Sequence, residues 1–292
     1  MVLLSFISCT DSTRSRKIEN REKYPPKSLF KNIQLQAAQE MYDGNLNAFS
    51  KTIQKNSQIV NEMSPIKGYT LLMYAAIIED LEAMKILLEN GADPDIIIPH
   101  LSSSPLNHAV GTNNYKMLNL LIAHNVNMNP AVGRSPLQTA MFLGSEKTER
   151  AMIDFLLSHG ANINHHPYLG DNILEVAVRN NLDTAIYFLN KGGNPRIEGT
   201  TLIPMATYID WKEVQYQRRK NPNTEYFQKL MRVKSMLQNQ YKITFPVKKD
   251  LKEEAKLRVR LYENLSEKDK RSVNFNKNYG ENRYRADLGL MN

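Results

Sequence analysis

Apolar residues cluster in this chain in pairs of short blocks, and the pairs return at a near-constant interval. The first block of each pair is Thr70-Leu71-Leu72-Met73-Tyr74-Ala75, then Ser104-Pro105-Leu106-Asn107-His108-Ala109, Ser135-Pro136-Leu137-Gln138-Thr139-Ala140 and Asn172-Ile173-Leu174-Glu175-Val176-Ala177. A weaker copy is Thr201-Leu202-Ile203-Pro204-Met205-Ala206, and a degenerate one holds Leu35 and Ala38. The apolar third positions fall at 35, 72, 106, 137, 174 and 203, a spacing that averages close to 33 residues. A second block follows in phase. It places Leu87-Leu88, Leu120-Leu121, Leu156-Leu157 and Phe188-Leu189 before Gly91, Asn125, Gly160 and Gly192.

Each block reads as a helix. Thr, Ser and Asn open the first helix because their side-chain oxygens accept from free N–H groups of the first turn. Pro105 and Pro136 stand at the first helical position, where a missing N–H does no harm. Leu and Ala three residues apart share one helical face. The second helix buries its Leu pair and ends at a residue suited to left-handed backbone angles, Gly or Asn. One such pair leaves apolar faces open, so neighbours must stack to bury them.

Two in-phase markers resemble the ankyrin repeat, whose period is 33 and whose motif begins Thr-Pro-Leu-His and ends Leu-Leu and Gly-Ala-Asp. The resemblance implies an all-α ankyrin-repeat solenoid of about five to six helix-turn-helix units with short hairpin loops, spanning residues 32–241. The motif's His is replaced by Met73, Asn107, Gln138, Glu175 and Pro204, so looser hydrogen bonding is expected there. Ser145–Arg150 reads as an insertion. Trp211–Tyr241 reads as a lengthened terminal unit, with a helix over Glu225–Gln240 and Trp211 in its core.

The flanks differ from the body. Residues 1–9 form a short apolar run ending at Ser8 and Cys9, the one cysteine of the 292 residues. This resembles the end of a bacterial lipoprotein signal peptide, in which the cysteine is acylated. It departs from that pattern in lacking a preceding Lys or Arg and in carrying Phe6. On that reading, residues 1–9 are a truncated leader remnant, Cys9 is the lipidation site and 10–31 is a polar linker. The protein is then a periplasmic, membrane-anchored lipoprotein; a genuine start at Met1 instead leaves it cytoplasmic. Residues 242–292 form a basic extension, with a helix over about 250–265 announced by Asp250 and Glu253 in capping-box spacing, then a mobile tail. Leu257, Leu261 and Leu265 mark the helix's apolar face.

Charge separates the classes of partner. The net charge is +8. Residues 32–241 carry eighteen Lys/Arg and nineteen Asp/Glu, whereas 10–31 carry seven and three and 242–292 carry thirteen and eight. Sequence-independent phosphate binding needs a basic face on the folded part, so no nucleic acid is expected. No HExxH, GxSxG or phosphate-binding Gly-rich loop occurs. The chain is therefore read as a non-enzyme with no catalytic residues, no cofactor and no metal, His165-His166 lacking a third ligand nearby.

What remains is protein binding. Ankyrin arrays usually bind with hairpin tips and the concave face of the first helices. Carried onto this chain, the resemblance points to Tyr74 and His108 on first helices, and to Ile97, Pro99, His100, Arg134, His165, His166 and Tyr168 at the tips. For the apolar tip 96–101 two readings stand, a hairpin stem or an exposed contact patch. The architecture is similar to bacterial immunity proteins that neutralise type VI secretion lipase or phospholipase effectors. The partner expected is thus a protein, such as a lipase or phospholipase toxin, met by a chain that is monomeric when unbound. The alternative is a generic ankyrin interaction scaffold, cytosolic or secreted into a host.

Overall fold

A computed structural model describes residues 16–99, 101–168, 172–196, 204–218, 224–247, 250–274 and 280–291. Cys9 and the rest of 1–15 lie outside the described residues, as does His100. The chain divides into two compact units, Met1–Asn127 and Met128–Asn292.

The first unit opens with a helical stretch over residues 16–23 (α1) and a 3-10 turn, Pro26–Ser28. Three helix pairs follow: α2 (Asn32–Tyr42) with α3 (Leu46–Lys55), α4 (Leu71–Ile77) with α5 (Leu81–Glu89), and α6 (Pro105–Gly111) with α7 (Tyr115–Ala123). First helices pack on first helices and second on second: α2 on α4, α4 on α6, α3 on α5, α5 on α7. Ala37, Ala38, Ala75, Ala76 and Ala109 are wholly buried along the first helices. With side chains this small, the helices approach closely. Met84, Leu87, Met117, Leu118 and Leu121 fill the second layer, also wholly buried.

The second unit repeats the plan with α8 (Pro136–Ala140) and α9 (Glu146–Ser158), α10 (Ile173–Asn180) and α11 (Leu182–Asn190), and α12 (Pro204–Gln217) and α13 (Glu225–Tyr241). The expected insertion at Ser145–Arg150 is the opening of α9. Ser145 caps it, and the helix runs 13 residues while its partner α8 is cut to 5. Three further helices close the chain: α14 (Leu251–Glu263), α15 (Glu267–Asn274) and α16 (Glu281–Met291). Each unit is thus a stack of helix pairs, six pairs among the described residues, as the repeat period leads one to expect.

Caps confirm the local reading and add to it. Thr70 and Asn172 accept from backbone N–H groups of Met73 and Leu174. Ser104 and Ser135 go further. Asn107 and Gln138, two of the residues in the place of the motif's His, return a bond to the cap's own backbone and complete capping boxes. The loosening expected at those two turns does not occur, because an amide at the third helical position supplies the missing acceptor. Asn125 takes the left-handed angle that Gly91, Gly160 and Gly192 take elsewhere.

A ladder of Asn and Asp side chains ties successive loops within each unit. Asn61 donates to Gly91 O (2.8 Å) and accepts from Asp93 N (2.7 Å). Asp95 accepts from Asn127 N (2.8 Å). In the second unit Asn129 bridges Gly160 O and Asn162 N (2.9 and 2.7 Å), and Asn164 bridges Gly192 O and Asn194 N (3.2 and 2.6 Å).

Two expectations about packing are corrected. Trp211 is 54% exposed rather than part of the terminal core; its ring meets Tyr208 at 5.8 Å, and the core positions of α12 go to Met205, Ala206 and Ile209. Beyond α14 the chain is not a free tail. Helix α16 packs along α14, joined by Arg258–Asp287 contacts of 2.8 and 2.7 Å.

Candidate partner-binding surfaces

In the first unit the face of the first helices is already occupied. Residues 16–30, which sequence reading assigns to a polar linker, lie against it. Asn20 Nδ2 donates to Ile77 O at 2.8 Å, and Arg21 Nη1 to Tyr42 O at 2.6 Å. Arg16 pairs with Glu79 through both nitrogens and both oxygens, Nη2 to Oε2 at 3.0 Å. Glu79 is 1% exposed and sits at a left-handed φ of 55° at the end of α4. Burial of a carboxylate there is tolerable because the guanidinium covers it. The hydrogen bond it donates to Glu79 holds the Arg16 pKa above its ordinary value.

Tyr74 is therefore not a groove-lining aromatic. It is completely buried, edge-on to Phe30 at 5.4 Å, and its hydroxyl donates to Tyr24 O at 3.1 Å. Burial raises the phenol's pKa. His108, on the neighbouring first helix, is half-buried with its Nε2 wholly enclosed and unpartnered. Burial lowers its pKa to about 4, against a smaller opposing pull from Glu79. Neither residue offers itself to a partner while the amino-terminal segment is in place.

The tip at 96–103 resolves in favour of a hairpin stem. Ile98 and Ser103 form an antiparallel bridge, with Ile98 N donating to Ser103 O at 2.7 Å. Ile96, Ile97 and Ile98 are buried, so Ile97 is a stem residue and not a contact. Pro99 is half-buried, and Leu101, 38% exposed, is the apolar residue the tip does present.

In the second unit two tips are stitched together. Tyr168 N donates to Ala131 O at 2.7 Å beside a parallel bridge between Val132 and Tyr168, and His165 Nε2 donates to Pro130 O at 2.6 Å. Burial lowers the His165 pKa. Arg134 is exposed beside this seam, and His166 is half-buried. Tyr168, expected at the surface, is completely buried because the carboxy-terminal helices cover it. Its hydroxyl donates to Gly280 O at 3.1 Å, and its ring meets Tyr262 at 5.2 Å. Tyr262 stacks in turn on Tyr284 at 4.6 Å. Burial pushes the Tyr168 phenol up to about 12. Of the described residues expected to touch a partner, Arg134 is exposed, Pro99, His108, His165 and His166 are half-buried, and the rest are buried.

Beside His166 a cleft of about 720 Å³ opens between the loops after α9 and α11 and one side of α14. It is lined mainly by asparagine amides and by Arg196 and Arg260. Sequence reading missed it, since it joins loop residues to a helix some 60 or more positions away; the recurring Asn of the loops is the one signal pointing there. Ser158 Oγ and His159 Nδ1 are 3.2 Å apart, but that nitrogen is also 2.7 Å from Phe155 O. Among the described residues no three His, Cys, Asp or Glu are placed to hold a metal, and no helix is long and apolar enough to cross a membrane.

Comparison with known proteins agrees with the architecture. Residues 35–131 match the family profile for ankyrin repeats, in three copies. The chain is 35% identical over 94 residues to a mouse protein named B-cell lymphoma 3 protein homolog, covering 32% of this chain and 21% of the mouse one. It is 34% identical over 96 residues to a putative ankyrin repeat protein of fowlpox virus, covering 33% and 22%. The matched stretch thus spans about a fifth of the length of these curated relatives.

Proposed function

We propose that this chain binds a partner protein through its ankyrin units, and that it does so as a membrane-tethered inhibitor of a lipase or phospholipase toxin. The observation that carries protein binding is the bracing of the loops. The Asn and Asp ladder and the tip-to-tip bonds fix the backbone of the tips before any partner arrives, and pre-organised loops lose little entropy on binding. An inhibitor needs only such a surface, shaped to cover the toxin's active-site entrance. Partner contacts then fall on Arg134, Pro99, Leu101 and the cleft beside His166.

The tether rests on the sequence at Cys9, an apolar run followed by a charged stretch, and it places the array in the periplasm where a delivered toxin would act. Labelled palmitate should enter the protein expressed from its full upstream reading frame and not the Cys9→Ser variant. Equal labelling of both, or of neither, removes the tether. An untethered scaffold is then the reading left standing, consistent with profile matches that lie within the repeats at 35–131.

A further inference from the structure

The cleft of the second unit is lined by amides and guanidinium groups, and its loops orient the amides. In three of the cleft's asparagines the side-chain oxygen accepts from a local backbone N–H. Asn162 Oδ1 accepts from Asn164 N (2.8 Å), Asn194 Oδ1 from Arg196 N (2.9 Å), and Asn172 Oδ1 from Leu174 N (2.9 Å). A backbone N–H can only donate, so these bonds also fix which end of each amide is oxygen. The NH₂ groups of these three are what is left to face the cavity, whereas Asn164, also in the lining, spends its NH₂ on Gly192 O. Asn172 is only 6% exposed, so its amide is a buried group aimed at this space.

Cations complete the lining. Arg260 stands exposed on α14, and among the described residues no side-chain ion pair engages it. Arg196 spends Nε and Nη2 on Tyr241 O and Lys242 O at 3.2–3.4 Å, which holds its guanidinium rigidly at the rim. Asn264 adds another amide at the end of α14. No carboxylate lines the cleft among the described residues. Undischarged donors beside two guanidinium groups suit carboxylate oxygens, which accept only and pair with Arg in a planar fork.

We propose that this cleft receives an acidic segment of the partner protein, its Asp or Glu side chains accepting from Asn162, Asn172, Asn194 and Arg260. The assignment deepens the protein-binding reading by naming the partner's chemistry, and it rests on that reading. A volume of about 720 Å³ holds several residues of extended chain rather than a lone small ion. The outward position of Arg260 admits them from solvent.

The full chain is titrated with a fluorescein-labelled hexaglutamate peptide, with inorganic phosphate in a parallel arm. The variants are Arg260→Glu, Asn264→Ala and, as a charge-matched control in the first unit, the exposed Lys51→Glu. Arg260 and Lys51 make no side-chain ion pair among the described residues, so both variants should fold as the parent does, which circular dichroism checks. Hexaglutamate should bind the parent and the Lys51 variant alike. Its affinity should fall tenfold or more in the Arg260 variant and measurably in the Asn264 variant. Equal loss in the Lys51 and Arg260 variants would mean bulk attraction to a chain of net charge +8, and would overturn the assignment. So would phosphate binding without peptide binding, or no binding of either. The same variants then meet a captured partner. A partner held equally by the parent and the Arg260 variant removes the cleft but leaves protein binding standing. Absence of any partner, with hexaglutamate still bound at Arg260, removes the protein-binding reading and with it the partner segment, and leaves only the cleft's affinity for carboxylates.

Discussion

His108 shows how one residue reports on the state of the first unit. Its side chain is enclosed by α1 and the first helices, facing Glu79 and Arg16, and burial holds its pKa at about 4. An unfolded chain titrates histidine near 6.5. As pH falls below about 6.5, the unfolded state takes up a proton that the folded state refuses until about pH 4. Stability present at pH 7 is therefore lost across that window, by up to roughly 2–3 kcal/mol. Urea midpoints measured from pH 7 to pH 4 should fall less steeply for His108→Gln than for the parent. Parallel slopes would show that the imidazole is protonated in the folded protein. The sequence suggested His108 as a contact because it occupies a variable position of a first helix. What the sequence did not reveal was the cover: nothing in the composition of residues 16–30 marks Arg16 as the partner of a glutamate 63 positions away.

At the scale of the element, the reading from residue types held where the interaction is local. N-caps at Thr70, Ser104, Ser135 and Asn172 lie within a turn of the N–H groups they serve, so sequence spacing alone determines them. The same holds for the left-handed helix ends at Gly160 and Asn125. The capping boxes at Asn107 and Gln138 were equally local, but attention to the absent His of the repeat motif concealed the Ser-x-x-amide pattern. Ser135→Ala should cost about 1 kcal/mol in unfolding free energy. The penalty should be felt in α8 above all, since that helix has 5 residues over which to recover it. The loop ladder works across repeats, and there only the recurrence of Asn hinted at it. Asn61→Ala removes two bonds between neighbouring loops and should lower stability by about 1–2 kcal/mol in denaturant titration, leaving the helical circular dichroism unchanged. A change within error would assign those bonds no net role.

At the scale of the whole chain, the repeats were legible and their coverings were not. The period, the helix pairs and the neutral body are written in recurring residues. The amino-terminal segment and α14–α16 carry no repeat, and they bind through single long-range partners such as Arg16–Glu79 and Arg258–Asp287. Those partners decide which expected contacts survive, for they bury Tyr74 and Tyr168. Asp287, wholly buried, receives both Arg258 and Arg283. Asp287→Asn keeps its shape and removes its charge. Amide exchange in α16 should then quicken tenfold or more while α10 and α11 hold their protection. Unchanged exchange in α16 would place its anchorage in the stack of Tyr262 on Tyr284 instead.

On the proposed function, the helix pairs hold another protein by their exposed tips. Capture of the partner by the full chain from its native cells, followed by hydrogen exchange on the purified complex, addresses it directly. A complex of fixed stoichiometry is expected, in which protection rises around Arg134 and along 160–168 and 192–196. It would be contradicted by no protein retained above a column bearing a scrambled array. Protection confined to surfaces away from those tips would contradict it equally.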